Sequence, residues 1–210
     1  MGGSLFRRLH HQRVAEVLSR LDAPLLAEHN CWFGGGTAIV LAHGEFRESV
    51  DIDFLVSDQQ SYRQLRQMVR DQGLHALATR ELELGRTPSV DGYGIRTSVL
   101  VAGVAIKFEI IHEGRLDLDT PSSGDEICGV RHLTRTDPLH AGARKAVDAY
   151  GKTVGESLNK AVTYLQDRPQ RLDESIRALR IDVPRAAVWQ SIRDLSARCA
   201  KLEFLRPRSV

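Results

Sequence analysis

Apolar residues recur at spacings of three to five from Leu5 through Leu9, Val14, Leu18, Leu21 and Leu25, which predicts one amphipathic helix over Leu5–Leu26 with Pro24 near its end. Cys31–Phe33 reads as a short strand entering a glycine run, Thr37–Ala42 as a helix closed by Gly44, and Ile52–Val56 as a short apolar strand. Gln59–Gln72 is a polar helical stretch that Gly73 is placed to cap. The middle is β-rich, with His75–Thr79, Arg80–Leu84 and Tyr93–Val101 expected as strands and Ala102–Gly103 as a tight turn into Val104–Ile111. In that last strand the period of two sets Val104, Ile106, Phe108 and Ile110 on one face and Lys107 and Glu109 together on the other. Residues 113–126 form a turn-rich loop, and Ile127–Leu133 is expected as one more strand.

From Asp137 the pattern turns helical. Asp137 with Pro138 reads as an N-cap and first helical position, opening a helix that runs to about Tyr150 before Gly151. Further helices are expected near 155–166, 171–180 and 184–203. The expected architecture is therefore an α/β N-terminal lobe with a mixed sheet, residues 1–135, followed by a helical C-terminal lobe, residues 136–210.

Charge adds one feature to this picture. Residues 1–130 hold 13 Lys and Arg against 18 Asp and Glu, a net of −5, whereas residues 131–210 hold 16 against 9, a net of +7. An acidic front and a basic back suit a metal site followed by a lobe facing phosphate or nucleic acid. No apolar run approaches the roughly 20 residues that span a bilayer, and the N-terminus lacks a continuous apolar stretch of the secretory kind. A cytoplasmic location with no membrane contact is expected. Cys31, Cys128 and Cys199 are isolated, so reduced thiols are expected rather than a disulfide framework. The eight histidines fall in no zinc-binding spacing, and the adjacent His10 and His11 belong to different faces of a helix.

The stretch that carries chemistry is FGGGTAIVLAHGEFRESVDID, residues 33–53. Glycines 34–36 sit between a strand and a helix, where backbone can approach a ligand closely and the helix N-terminus offers free N–H groups to phosphate. Gly35 and Gly36 are the candidate cradle, and Thr37 is placed to add a hydroxyl donor. No Lys-Ser/Thr follows, so this is not a P-loop, nor is it a dinucleotide fingerprint. Asp51 and Asp53 give the stretch its meaning, because their i, i+2 spacing on a strand puts both carboxylates on one face. Two adjacent carboxylates repel unless a cation lies between them. Hard oxygen donors favour Mg²⁺, which takes its remaining ligands from water and substrate phosphates.

The segment resembles the nucleotidyltransferase superfamily, in which Gly-Gly/Ser, a helix and Asp-x-Asp on the next strand follow one another. More narrowly, GGTAIVLAHGEFRESVDIDF looks like the AbiEii/MenT family of toxin nucleotidyltransferases, most closely over residues 30–57 and more weakly to about 150. That resemblance implies that Arg47 and Ser49, just ahead of the acidic pair, belong to the nucleotide site. It implies a third metal-binding carboxylate from a later strand, for which Glu109 is the candidate, with Lys107 beside it to neutralise triphosphate. It also implies a lysine on a C-terminal helix, matched by Lys145, with Asp148 one turn later. The family's second late acidic segment is poorly matched, since Glu156 and Asn159 stand where aspartates are expected.

The reaction these parts imply is transfer of NMP from an NTP, with one or two Mg²⁺ ions held by Asp51, Asp53 and Glu109. The resemblance further implies the 3′ end of tRNA as acceptor, arrest of growth, and a cognate antitoxin. A small-molecule acceptor of the aminoglycoside kind, a protein acceptor and a non-catalytic nucleotide-binding module are the alternatives. The basic C-terminal half disfavours a polycationic acceptor.

Overall fold

The computed structural model describes residues 5–133 and 146–204. The chain forms two compact units, Met1–Arg135 and Thr136–Val210.

In the first unit the N-terminal helix is not continuous. It forms as α1, Leu9–Leu18, and α2, Ala23–Glu28. The break falls at Leu21, which makes a β-bridge to Ala78, and at Asp22, whose side chain accepts the Leu25 N–H at 3.0 Å and so opens α2 with Pro24 inside its first turn. The buried stripe also differs from the expected one. Leu5 and Leu9 are 74% and 62% exposed, whereas Val14 and Leu18 face inward as expected and His11 and Val17 join them.

Strand β1, Trp32–Gly34, runs into helix α3, Gly35–Ala42, and returns as β2, Asp51–Val56. Helix α4, Gln59–Gln72, is capped by the Asp58 carboxylate on Ser61 N–H at one end and by Gly73, with φ +75°, at the other. Residues expected as a strand after it form a 3₁₀ turn, Leu74–Leu77, because both leucines are buried completely and a period-two strand would expose one of them. Strands β3, Glu83–Val90, β4, Gly94–Val101, and β5, Val104–His112, follow as a meander. Ala102 and Gly103, both at positive φ, make the tight β4–β5 turn. The segment 127–133 is not one strand. Cys128 and Gly129, again both at positive φ, fold it into a hairpin of β6, Glu126–Ile127, and β7, Val130–Arg131.

The sheet is mixed, in the order β1-β2-β5-β4-β3. Only β2 and β5 pair in parallel, with Asp51 beside Lys107 and Asp53 beside Glu109. Residues at matched register share a face. One face is therefore apolar: Ile52, Phe54 and Val56 of β2, Ile106, Phe108 and Ile110 of β5, and Ile95, Val99 and Val101 of β4 are buried in the core. Phe33, Phe54 and Phe108 run across it with ring centroids 5.5 and 5.8 Å apart. The opposite face carries Asp51, Asp53, Lys107, Glu109 and Arg96.

The second unit is helical. Residues 146–150 are helical, and α5, Thr153–Asp167, α6, Pro169–Ala178, and α7, Arg185–Phe204, follow. The expected helix start at Asp137 and Pro138 lies outside the described residues. Ser196 on α7 donates to Asn159 Oδ1 on α5 at 2.8 Å, and Glu156 pairs with Lys152 at 3.7 Å on the surface. The two positions that depart from the family's late motif are thus used within the helical unit itself.

Candidate active site

The site begins with a backbone shape. Gly35 opens α3 at φ +69°, a conformation that costs any residue with a Cβ about 1–2 kcal/mol. It also lies against β2, where Gly34 is the register partner of Asp53. A Cβ on Gly35 would stand 2.6 Å from Asp53 Oδ2 and 3.1 Å from Asp53 Cβ. Glycine is therefore required at this position twice over, by dihedral and by space. A Cβ on Gly36 would meet Arg47 Nη2 at 2.5 Å and Ser49 Oγ at 3.5 Å. The glycine bend, the acidic strand and the 45–49 loop thus converge within one layer of atoms.

Asp51 and Asp53 are both half-buried and point to the same side of β2. The Asp53 carboxyl is held above the ordinary carboxylate range by burial first and by the charge of Asp51 second; Lys107 opposes that rise and Glu109 adds to it. A carboxylate that resists ionisation for these reasons is one that a divalent cation stabilises. Two carboxylates leave the remaining positions of an octahedral ion to water and phosphate oxygens, the manner in which Mg²⁺ is held. The donor set fits that ion.

Glu109 sits beside Asp53 but is engaged by cations. Lys107 Nζ donates to its Oε2 at 2.7 Å, and Arg96 Nε lies 3.7 Å from its Oε1. This hydrogen bond to Glu109 is the main cause of the raised Lys107 pKa, with burial opposing it and the charges of Glu109, Asp51 and Asp53 adding to it. Among the described residues no trio of His, Cys, Asp or Glu is gathered to hold a metal ion. Asp51 and Asp53 share one side of β2, and Glu109 would have to release Lys107 to join them.

The loop ahead of β2 is held differently from the way its spacing suggests. Thr37 is buried, and its hydroxyl donates to Ser49 Oγ at 2.8 Å. Ser49 N–H donates to His11 Nε2 at 3.1 Å, and His11 Nδ1 meets Glu45 Oε1 at 2.8 Å. Glu45 accepts further hydrogen bonds from Arg7 N–H and Arg8 N–H at 2.7 and 3.0 Å. Burial alone would raise the Glu45 carboxyl, but these two backbone donors and His11 outweigh it and hold it below its usual range. Arg47 stands between Glu45 and Ser49, its Nη1 donating to Glu48 O at 2.8 Å and its guanidinium resting on Gly36. Burial lowers the Arg47 pKa.

The structure therefore brings Gly35, Gly36, Thr37, Arg47, Ser49, Asp51, Asp53, Lys107 and Glu109 to one end of the first unit. Asp148 is exposed on a helix of the second unit, and Lys145 lies outside the described residues. Three residues at the site carried no sequence motif. Arg96 reaches it through the β4–β5 register, a long-range pairing. His11 and Glu45 form its support, and only the position of His11 three and seven residues before Val14 and Leu18 marked it as inward-facing.

The family model described as "Nucleotidyl transferase AbiEii toxin, Type IV TA system" matches residues 16–141, more than half of the chain. No curated protein matches significantly. Among solved structures the chain is similar to a presumed nucleotidyltransferase of H. pylori, at 18% identity and a TM-score of 0.40, covering 93% of this chain and 91% of that one. It is also similar to JHP933 of Helicobacter pylori, at 16% identity and a TM-score of 0.38, covering 95% and 90%. A type IV toxin–antitoxin family implies an antitoxin partner, and a nucleotidyl transferase implies a nucleotide substrate. The matched residues include the glycine bend, the Arg47 loop, the Asp pair and Glu109, and the chain belongs to the AbiEii family of nucleotidyltransferase toxins.

Proposed function

We propose that this toxin transfers a nucleoside monophosphate from an NTP to the 3′ end of tRNA in a Mg²⁺-dependent reaction, and that a cognate antitoxin restrains it. The observation that carries the catalytic part is the contact between the glycine bend and the acidic strand. With Asp53 Oδ2 only 2.6 Å from the Cβ position of Gly35, a triphosphate seated on the α3 N-terminus lies beside the Asp pair. Asp51 and Asp53 hold the cation, with Glu109 as the third carboxylate once its ion pair with Lys107 opens. The bound ion supplies charge stabilisation at the α-phosphate and lowers the pKa of the attacking hydroxyl. Gly35 and Gly36 present backbone N–H groups to the β- and γ-phosphates. Thr37 and Ser49 brace the turn. Arg47 and Lys107 offset charge as it moves toward the departing pyrophosphate, and Lys145 and Asp148 are candidate catalytic residues on the family resemblance alone.

The acceptor rests on the AbiEii/MenT resemblance and on the net charge of +7 over residues 131–210, which suits RNA phosphates. The same charge disfavours a polycationic small molecule. The test is incubation with Mg²⁺, each α-labelled NTP in turn, and total RNA in cell extract. Label in the tRNA band is expected, and Asp51→Ala should abolish it. Label on protein or on a small molecule would replace the acceptor, and undiminished labelling by Asp51→Ala would remove the catalytic assignment.

A further inference from the structure

The loop that carries Arg47 runs from the end of α3 at Ala42 to the start of β2 at Asp51. Glu45 and Ser49, which flank Arg47 within it, are both tied to one buried side chain. His11 is completely buried, with Nδ1 2.8 Å from Glu45 Oε1 and Nε2 3.1 Å from Ser49 N. The chemistry fixes its tautomer. A backbone N–H can only donate, so Nε2 accepts from Ser49, and the proton resides on Nδ1, which donates to Glu45. The ring is thus a strut across the Glu45–Ser49 segment of the loop. Glu45 is itself at positive φ (+58°), a conformation unusual outside glycine, and its carboxylate is fastened by Arg7 N–H, Arg8 N–H and His11. The neighbouring His10 adds a second tie, its Nε2 lying 3.1 Å from Val50 O at the head of β2.

We propose that His11, anchored by Glu45, is a positioning residue that sets the Arg47 guanidinium against Gly36 at the nucleotide site. The inference deepens the functional reading above and rests on it. It assigns to helix α1, which lies outside the glycine and aspartate motifs, the task of holding the phosphate-facing loop in its binding shape. Arg47 carries the charge; His11 never touches the nucleotide. A pre-set cation loses little freedom on binding, so loss of the strut should weaken nucleotide binding rather than the chemical step.

Three substitutions at one position test this. His11→Phe keeps the ring and removes both hydrogen bonds. His11→Asn retains a donor near Glu45 but does not reach Ser49. His11→Gln places an amide oxygen near the Nε2 position, where it can accept from Ser49 N–H. With NTP and total RNA as substrates, His11→Phe and His11→Asn should raise the KM for the NTP about tenfold, the scale of one hydrogen bond to a charged group. The kcat should stay within about twofold, and His11→Gln should restore most of the KM. In the Arg47→Ala background His11→Phe should add nothing further, since it acts through that residue. Hydrogen exchange at the Ser49 amide, which needs no activity, should be slow in the wild type and His11→Gln and accelerate at least tenfold in His11→Phe and His11→Asn. An unchanged KM, an effect additive to Arg47→Ala, or a Ser49 amide that stays protected in His11→Asn would overturn the proposal. Should His11→Phe not fold, the comparison of Asn with Gln decides. Asp51→Ala is the control for the catalytic reading: full transfer by that variant would refute the reading, and the Ser49 exchange would still judge the strut.

Discussion

Gly35→Ala perturbs the site where the glycine bend meets the acidic strand, and two other glycines separate its causes. The new methyl adopts φ +69°, which costs about 1–2 kcal/mol, and relief of unfolded-chain entropy returns about 0.4–1 kcal/mol of that. Gly44→Ala faces the same dihedral penalty, at φ +79°, but its Cβ has nothing within 4 Å. On dihedral cost alone both variants should therefore lose about 1 kcal/mol, which for a chain of this size lowers Tm by about 2–4 °C. Only Gly35→Ala also drives a methyl to 2.6 Å from Asp53 Oδ2 and 3.1 Å from its Cβ. Both are shorter than ordinary van der Waals contact, so the carboxylate must move by several tenths of an ångström. Displacement of a catalytic group by about 1 Å costs on the order of 100-fold in rate. Gly36→Ala is the third arm. Its neighbour is the flexible end of Arg47, and alanine is the better helix former by up to about 1 kcal/mol, so stability should hold or rise while the KM for the NTP increases. The assays are thermal unfolding and steady-state NMP transfer. Equal activity of Gly35→Ala and Gly44→Ala would refute the claim that the glycine bend and Asp53 form one site.

Asp53→Asn should raise the Tm of metal-free protein at neutral pH. The folded-state pKa of Asp53 is raised, so its contribution is favourable below the ordinary carboxylate range and is lost as pH rises through the folded value. The advantage of Asn should therefore vanish below that range, as unfolding in EDTA from pH 3 to pH 8 would reveal. Added Mg²⁺ at a hundredfold excess over its Kd should stabilise the wild type by about 2.7 kcal/mol and leave Asp53→Asn unchanged; equal stabilisation of both would contradict the metal assignment. Lys107→Met frees Glu109 from its 2.7 Å partner, so metal affinity should rise while the KM for the NTP worsens, measured by calorimetry and kinetics. Phe108→Ala, on the apolar face and in contact with Phe54 at 5.8 Å between centroids, should cost about 3–5 kcal/mol in denaturant unfolding without altering the metal affinity of the folded fraction.

The parts legible in the sequence were those fixed by local rules. The i, i+2 aspartates, the alternation of Lys107 and Glu109, the Ala102–Gly103 turn and the Gln59–Gln72 helix with its Gly73 cap each depend on a few neighbouring residues, and all stand in the structure. The parts that were not legible depend on distant partners. Parallel pairing of β2 with β5, which brings Asp53 beside Glu109, joins residues more than fifty positions apart. The strand expected over His75–Thr79 gives way to the 3₁₀ turn Leu74–Leu77 because a short apolar run has no decisive period. The N-terminal stripe was drawn through Leu5 and Leu9, whereas a polar residue, His11, occupies the buried face. Hydrophobicity counts against a histidine there; only its two hydrogen-bond partners, 34 and 38 residues away, make its burial favourable.

Anomalous diffraction from crystals grown with Mn²⁺ and a non-hydrolysable NTP tests the central claim most directly. The account predicts a Mn²⁺ peak bound by the carboxylates of Asp51 and Asp53 and by a phosphate oxygen, with the triphosphate resting on the N–H groups of Gly35 and Gly36. A nucleotide bound elsewhere, or a peak that persists in Asp51→Asn/Asp53→Asn crystals, would contradict it.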